Sequence, residues 1–119
     1  MGRSESGLQS AVLNYLHVVG ISCWRQNNHA VPVLRYARGG AVFQGFRADK
    51  FRLKGIGDIS GILPDGKRLE IEVKTQYGRQ TKEQKEFQFL IERNKGIYIL
   101  ARSVDDVENG LKNYLTKEE

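Results

Sequence analysis

Asp58, Glu72 and Lys74 are the residues of this chain whose types and spacing can do chemistry together. Glu72 and Lys74 stand two apart in the strand-like run 68–75, so both side chains share one face, with Glu70 beside them. Asp58 opens a second such run, 58–63, and the stretch between them carries hairpin chemistry. Two carboxylates at the ~4.5–5.5 Å of cross-strand neighbours repel unless something positive lies between them. A divalent cation with oxygen ligands does this, and magnesium commonly takes one or two protein carboxylates plus water and phosphate oxygens. A lysine alongside can order or deprotonate a water, its pKa lowered by the neighbouring metal, or stabilise a pentavalent phosphate.

This geometry depends on the turn. In Leu63-Pro64-Asp65-Gly66-Lys67, Pro64 suits the first central position of a type I turn, Asp65 the second, and Gly66 the left-handed bulge that follows. Leu63 then faces Lys67, and Asp58 falls opposite Glu72. A two-residue type I′ loop would shift the register by one and send the carboxylates to opposite faces. Pro64 argues for the longer loop. The bland reading is that Glu70, Glu72 and Lys74 form the solvated face of an ordinary hairpin. Against it stand Asp58 in register, the backbone-permissive Gly55-Ile56-Gly57 before it, and a localised positive charge.

That charge is concentrated. Arg35, Arg38, Arg47, Lys50, Arg52 and Lys54 are offset in their segment by Asp49 alone, a net +5 that equals the net charge of the whole 119-residue chain. Phe43, Phe46 and Phe51 are interleaved with them, as a surface that tracks phosphates requires. A solvated loop in a modestly basic protein is the alternative. The single Cys23 excludes an internal disulfide and a cysteine-rich zinc site, and His17 and His29 lack ligand spacing. No run approaches a membrane span, and the first residues lack the apolar stretch of a secretory signal. A reducing, cytoplasmic setting is therefore expected.

Leu8, Val12, Leu16 and Val19 recur at helical spacing after Ser4 and Ser6, either of which can cap, and Gly20 supplies a left-handed stop. A strand is expected over 21–26. The pattern over 27–55 is poor and reads as a long connection, with a turn at Arg38-Gly39-Gly40 and a short strand at 41–46. Thr81-x-x-Gln84 is a capping box opening a helix whose inner side is Phe87, Leu90, Ile91 and Gln84, with Gly96 ending it. The apolar run 97–100 suggests a buried parallel strand. Ser103 caps a last helix, with Asp105 and Asp106 in its first turn and Val107, Leu111 and Tyr114 facing inward. Trp24, Phe87 and Phe89 read as core residues. This order gives a single α/β domain over 1–119, with a central mixed β-sheet flanked by helices.

Together, Gly57-Asp58-Ile59, Glu72-Val73-Lys74 and Gln84 on the following helix resemble the PD-(D/E)XK nuclease superfamily. They are most similar to its VRR-NUC branch, and Glu5-x-x-Leu8-Gln9 on the first helix resembles that branch's acidic residue there. The resemblance runs from the first helix to about Leu100 and implies a restriction-endonuclease-like core. It implies that Asp58, Glu72 and the Val73 carbonyl ligate magnesium or manganese, that Lys74 is the catalytic lysine, and that Glu5 lies near the metal. It also implies that Gln84 faces the site and orients Lys74 or the scissile phosphate. Glu5 is equally explained as a first-turn acid and Gln84 by its capping box. The superfamily's proline before the aspartate is Gly57 here. By the same resemblance the chain would act as a homodimer on DNA, branched or four-way junctions included, in a bacterial or phage-infected cell. Linear DNA, RNA and a non-catalytic nucleic-acid-binding role are the alternatives. Arg79, Lys82 and Lys85 flank the helix after the site and could touch phosphate, as could the basic segment.

Overall fold

The computed structural model describes residues 4–26, 31–47 and 55–115, and the side chains of 34–44 within the middle stretch. The elements in chain order are α1 (Glu5–Val18), β1 (Ser22–Arg25), β2 (Val31–Ala37), β3 (Gly40–Arg47), β4 (Ile59–Ile62), β5 (Arg68–Val73), α2 (Lys82–Arg93), β6 (Ile97–Ala101) and α3 (Val104–Gly110). Four strands form one sheet in the order β1-β4-β5-β6, while β2 and β3 form a separate two-stranded ribbon. The β1–β4 and β4–β5 pairs are antiparallel and β5–β6 is parallel, so the sheet is mixed as expected. No described helix is long and apolar enough to cross a membrane.

Sequence chemistry sets each element. Ser4 is the residue that caps α1, its hydroxyl accepting from the Gly7 N–H at 3.0 Å, and Gly20 takes φ +83° just past the helix end. Leu8, Val12 and Leu16 then face inward, and Ile21 joins them at the turn into β1. These side chains meet Ile59, Leu63, Leu69, Ile71, Val73 and Ile99 of the sheet, with Val107 and Leu111 from the α3 side. The main core therefore lies between the sheet and α1 with α3. A smaller one forms on the other face, where Phe87 and Ile91 of α2 cover Tyr98.

The β4–β5 turn takes the three-residue form. The Gly66 N–H donates to the Leu63 carbonyl at 2.8 Å, the Leu63 N–H to the Lys67 carbonyl at 2.9 Å, and Gly66 has φ +90°. Ile59 consequently pairs with Ile71 and Ser60 with Glu70. The helix after β5 opens with the full capping box: the Thr81 hydroxyl accepts from the Gln84 N–H, and the Gln84 side chain accepts from the Thr81 N–H. Asp106 N–H donates to the Ser103 hydroxyl at the start of α3.

Three expectations need correction. Strand β2 lies where a connection was read. Its signal is masked because apolar residues stand on both faces of the ribbon, Leu34, Tyr36 and Phe43 on one and Val42 on the other, and because the register shifts between Val33 and Leu34. Gly96 does not end α2; Asn94 is its C-cap and Lys95 takes the left-handed conformation at φ 72°, while Gly96 fits tightly against Ile91. Trp24 and Phe89 are not core residues, being 43% and 65% exposed, whereas Phe87 is buried at 4%. The alternative of a solvated hairpin face does not hold for Glu70 and Glu72, which retain 0% and 3% exposure.

Candidate active site

Both faces of β5 are buried. Leu69, Ile71 and Val73 point into the main core, and Glu70 and Glu72 point to the α2 face. In register with them across the sheet stand Ser60 on β4 and Tyr98 and Leu100 on β6. Edge-on packing of Phe87 against Tyr98, with ring centroids 6.5 Å apart, seats α2 on this face. Of the two acids in this strand of alternating apolar residues, Glu72 thus meets α2 through Gln84, while Glu70 lies against Ser60, Arg68 and the Gly57 backbone. Burying an ionised carboxylate without full compensation is costly, so what each acid touches matters.

Glu70 is compensated on one oxygen. Its Oε2 accepts from the Ser60 hydroxyl at 2.8 Å and from Arg68 Nε at 2.6 Å, and Ser60 also lies 3.3 Å from Gln26 Oε1. Its Oε1 has no partner among the described residues and faces the Gly57 Cα: a Cβ at Gly57 would sit 2.9 Å from it and 3.1 Å from the Ile71 carbonyl. Gly57 therefore does have a steric role in this chain, letting the segment before Asp58 lie flat against β5.

The hairpin register is the expected one, but the strand ladder stops one pair short of Asp58 and Glu72, so Asp58 stands just outside it. Strand pairing ends at Ile59 with Ile71, and the Asp58 N–H donates to the Ile71 carbonyl at 2.9 Å. The Asp58 carboxylate takes over where the ladder stops: its Oδ2 accepts from the Val73 N–H at 2.8 Å. On the other side the Gln26 N–H donates to the Asp58 carbonyl at 2.8 Å, so β1 braces the same residue. The Val73 carbonyl projects from the same edge of β5 as its N–H, toward Asp58.

Glu72 is the most perturbed group. Its Oε2 accepts from Gln84 Nε2 at 2.7 Å and lies 3.6 Å from Lys74 Nζ, whereas its buried Oε1 has no partner among the described residues. Burial first, and the facing Asp58 carboxylate second, push its pKa up to about 8, against the opposing pull of Lys74. The Lys74 side chain is only 13% exposed, and Gly78 closes over its stem after the turn in which the Gly78 N–H donates to the Thr75 carbonyl. A Cβ at Gly78 would lie 3.3 Å from Lys74 Cδ.

The structure therefore brings Asp58, Glu72, Val73, Lys74 and Gln84 together at one end of β4 and β5. Glu5 is exposed in the first turn of α1, and no described hydrogen bond or ion pair joins it to them. One turn on, Gln9 is tied to β1 instead, its Oε1 accepting from Arg25 Nη1 at 2.6 Å. Among the described residues no group of three or more His, Cys, Asp or Glu is placed to hold a metal ion. Arg35 and Arg38 are exposed on the β2–β3 ribbon, and Arg79 and Lys82 are exposed around the start of α2. Arg47 belongs to β3 with its side chain outside the described residues, where Lys50, Arg52 and Lys54 also fall. Sequence reasoning missed Ser60 and Gly78. Their signal was legible only afterwards: a small polar residue opposite a glutamate, and a glycine four residues beyond the lysine it covers.

Neither a scan against protein-family models nor a search of curated proteins matches this chain.

A carboxylate oxygen that is buried, unpartnered and faced by a second carboxylate fits a site for a cation. Native interiors rarely leave such an atom unsatisfied unless water or an ion completes it. The donor set is a hard one, two carboxylates and a main-chain carbonyl, which suits magnesium or manganese over softer metals.

Proposed function

We propose that this chain is a metal-dependent nuclease with a PD-(D/E)XK core of the VRR-NUC type, hydrolysing phosphodiester bonds of DNA. The observation that carries the reading is the unpartnered Glu72 Oε1 beside Asp58, with Lys74 held at 3.6 Å from the other oxygen of the same carboxylate. A purely structural ion pair has no use for the second acid, whose nearness raises the Glu72 pKa. A module that only binds nucleic acid gains nothing from clustered acids near phosphate.

Asp58, Glu72 and the Val73 carbonyl would hold Mg2+ or Mn2+. Bound there, the ion would polarise a phosphoryl oxygen and lower the pKa of a water. The remaining work falls to the chain itself. Lys74, with its stem enclosed by Gly78, offers an ammonium to the charge that develops on phosphorus. Gln84 holds one Glu72 oxygen by its amide and so leaves the other for the ion. Asp58 is held by the Val73 N–H through one carboxylate oxygen, and the other would serve the ion. Arg35, Arg38, Arg79 and Lys82 supply positive charge for the flanking phosphates, with Arg47, Lys50, Arg52 and Lys54 continuing that sequence stretch.

By family analogy the substrate is branched DNA, four-way junctions included, and the working unit is a homodimer that places two sites on one junction. The test is cleavage over a panel of duplex, flap, fork, four-way junction and RNA substrates, with magnesium, manganese or chelator. We expect cation-dependent cutting strongest on branched DNA, lost in Asp58→Ala and Lys74→Ala while binding is largely kept. Full metal-dependent activity in purified Asp58→Ala would overturn the site assignment, and a monomeric mass in solution would count against the junction analogy.

A further inference from the structure

On the α2 face the sheet presents its side chains in rows. Trp24, Ser60, Glu70 and Tyr98 pair successively across β1, β4, β5 and β6. The next row toward the site begins with Gln26, braced to Asp58, and continues with Glu72. The row on the far side holds Ser22, Ile62 and Arg68. Helix α2 packs on the β6 side of this face, and its apolar residues cover Tyr98. At the β1 side the sheet ends, and there Trp24 keeps 43% and Ile62 51% of their surface in solvent. Arg68, half-exposed at 48%, pairs with Ile62 and keeps its Nε on Glu70.

We propose that Trp24 is the stacking surface for an unpaired nucleobase of the substrate strand, with Arg68 on the same face, beyond Ile62, for a nearby phosphate. The proposal rests on the nuclease reading and adds what that reading lacks, a residue that senses unpaired substrate. Two observations carry it. First, residues two apart on a strand are separated by ~6.6 Å, so Trp24 lies one row, within the reach of one nucleotide, from the Asp58 row. Second, a large indole left open on the same face as a buried carboxylate pair is followed, one row on, by the aliphatic Ile62 and, one strand further, by the half-exposed Arg68 guanidinium, groups that suit a base and a nearby phosphate. An aromatic face stacks any base, but the bases inside a duplex are already stacked on both sides. Only an unpaired or splayed base offers its own face. Trp24 would therefore favour single-stranded segments, flaps and junction centres over continuous duplex.

The chain has one tryptophan, so its emission reports on this site alone. The experiment titrates Asp58→Asn protein, which keeps an acceptor for the Val73 N–H, with fluorescein-labelled oligonucleotides in magnesium, following tryptophan emission and label anisotropy together. Expected is saturable quenching by DNA with a single-stranded segment, its midpoint equal to the anisotropy midpoint, and little quenching by blunt duplex. Trp24→Leu should weaken binding of the single-stranded substrate about 10-fold, within the range measured for loss of one base–aromatic stack, and Trp24→Phe should restore most of it. Emission unchanged at saturating DNA overturns the proposal. So does equal affinity of Trp24→Leu and wild type, or a change in association state of Trp24→Leu with DNA binding intact, which would assign the patch to a second copy. Should Trp24→Leu fail to fold, the emission titration still decides. Failure of the nuclease reading looks different: full cleavage by Asp58→Ala, whatever Trp24 does.

Discussion

Gln84 donates its side-chain amide N–H to Glu72 at 2.7 Å while its carbonyl oxygen accepts the Thr81 N–H at 2.8 Å. One side chain thus closes the capping box of α2 and holds the buried acid of the site. In the sequence these two roles compete for Gln84; in the structure they use opposite ends of the same amide. The helix start and the carboxylate are thereby set in fixed relation.

Substitutions at Gln84 and Thr81 separate the two roles. Gln84→Glu keeps an acceptor for the Thr81 N–H and so should hold the melting temperature near wild type when Glu72 is cation-bound or protonated. It replaces the donor to Glu72 with another carboxylate and should lower kcat at least 10-fold. Thr81→Ala removes the cap and should cost about 1 kcal/mol of stability with a much smaller effect on kcat. Thermal melts and single-turnover cleavage of the two variants check this, and equal loss of activity in both would refute the division.

The raised pKa of Glu72 gives the metal-free protein a signature in its pH dependence. The unfolded carboxylate ionises near its model value of 4.5 and the folded one near about 8, so between these the folded state binds more protons than the unfolded. This contribution to stability is fully present below the lower value and is lost as pH rises toward the upper one. Glu72→Gln should therefore melt higher than wild type in chelator at pH 8.5, by ~4 °C or more, which corresponds to about 1 kcal/mol for a domain of this size. The difference should shrink toward pH 5. A variant that melts below wild type at pH 8.5 would contradict the assignment.

Cation binding should reverse that penalty. Millimolar magnesium or manganese should raise the melting temperature of wild type at pH 8, chelator should remove the gain, and Glu72→Gln and Asp58→Ala should show little of it. Equal stabilisation of all three proteins would place the ion elsewhere.

Gly57 offers a test of packing alone. A methyl group there would press on Glu70 Oε1 and on the Ile71 carbonyl, within 2.9 and 3.1 Å. Gly57→Ala should destabilise by about 1–3 kcal/mol, the usual cost of overpacking, and should lower activity through displacement of Asp58. Gly66→Ala, at a turn with open space and φ +90°, should cost stability by backbone strain while leaving kcat unchanged.

The sequence by itself determined the elements that obey local rules. The spacing of Leu8, Val12 and Leu16 placed α1, Thr81 and Gln84 placed the start of α2, and Pro64-Asp65-Gly66 fixed a hairpin register that brings Asp58 toward Glu72. Each depends on chain geometry over a few residues, where propensity and turn chemistry are strong. The turn at 38–40 and strand β3 were legible, but β2 escaped because apolar residues on both faces of the ribbon erase the alternation by which a strand is recognised. Tertiary structure alone decided the environment of the carboxylates. A period-2 pattern puts Glu70 and Glu72 on the face opposite Ile71 and Val73, but it cannot say whether water or a helix lies above them. Packing of Phe87 on Tyr98 brought Gln84 of α2 onto Glu72, and the close approach of Gly57 covered Glu70. That burial raised the Glu72 pKa, left Oε1 without a partner, and turned Glu72-Val73-Lys74 from a common charged strand into a candidate site. The same helix stops short of the β1 edge of the sheet, and that, which no local pattern records, left Trp24 open beside it.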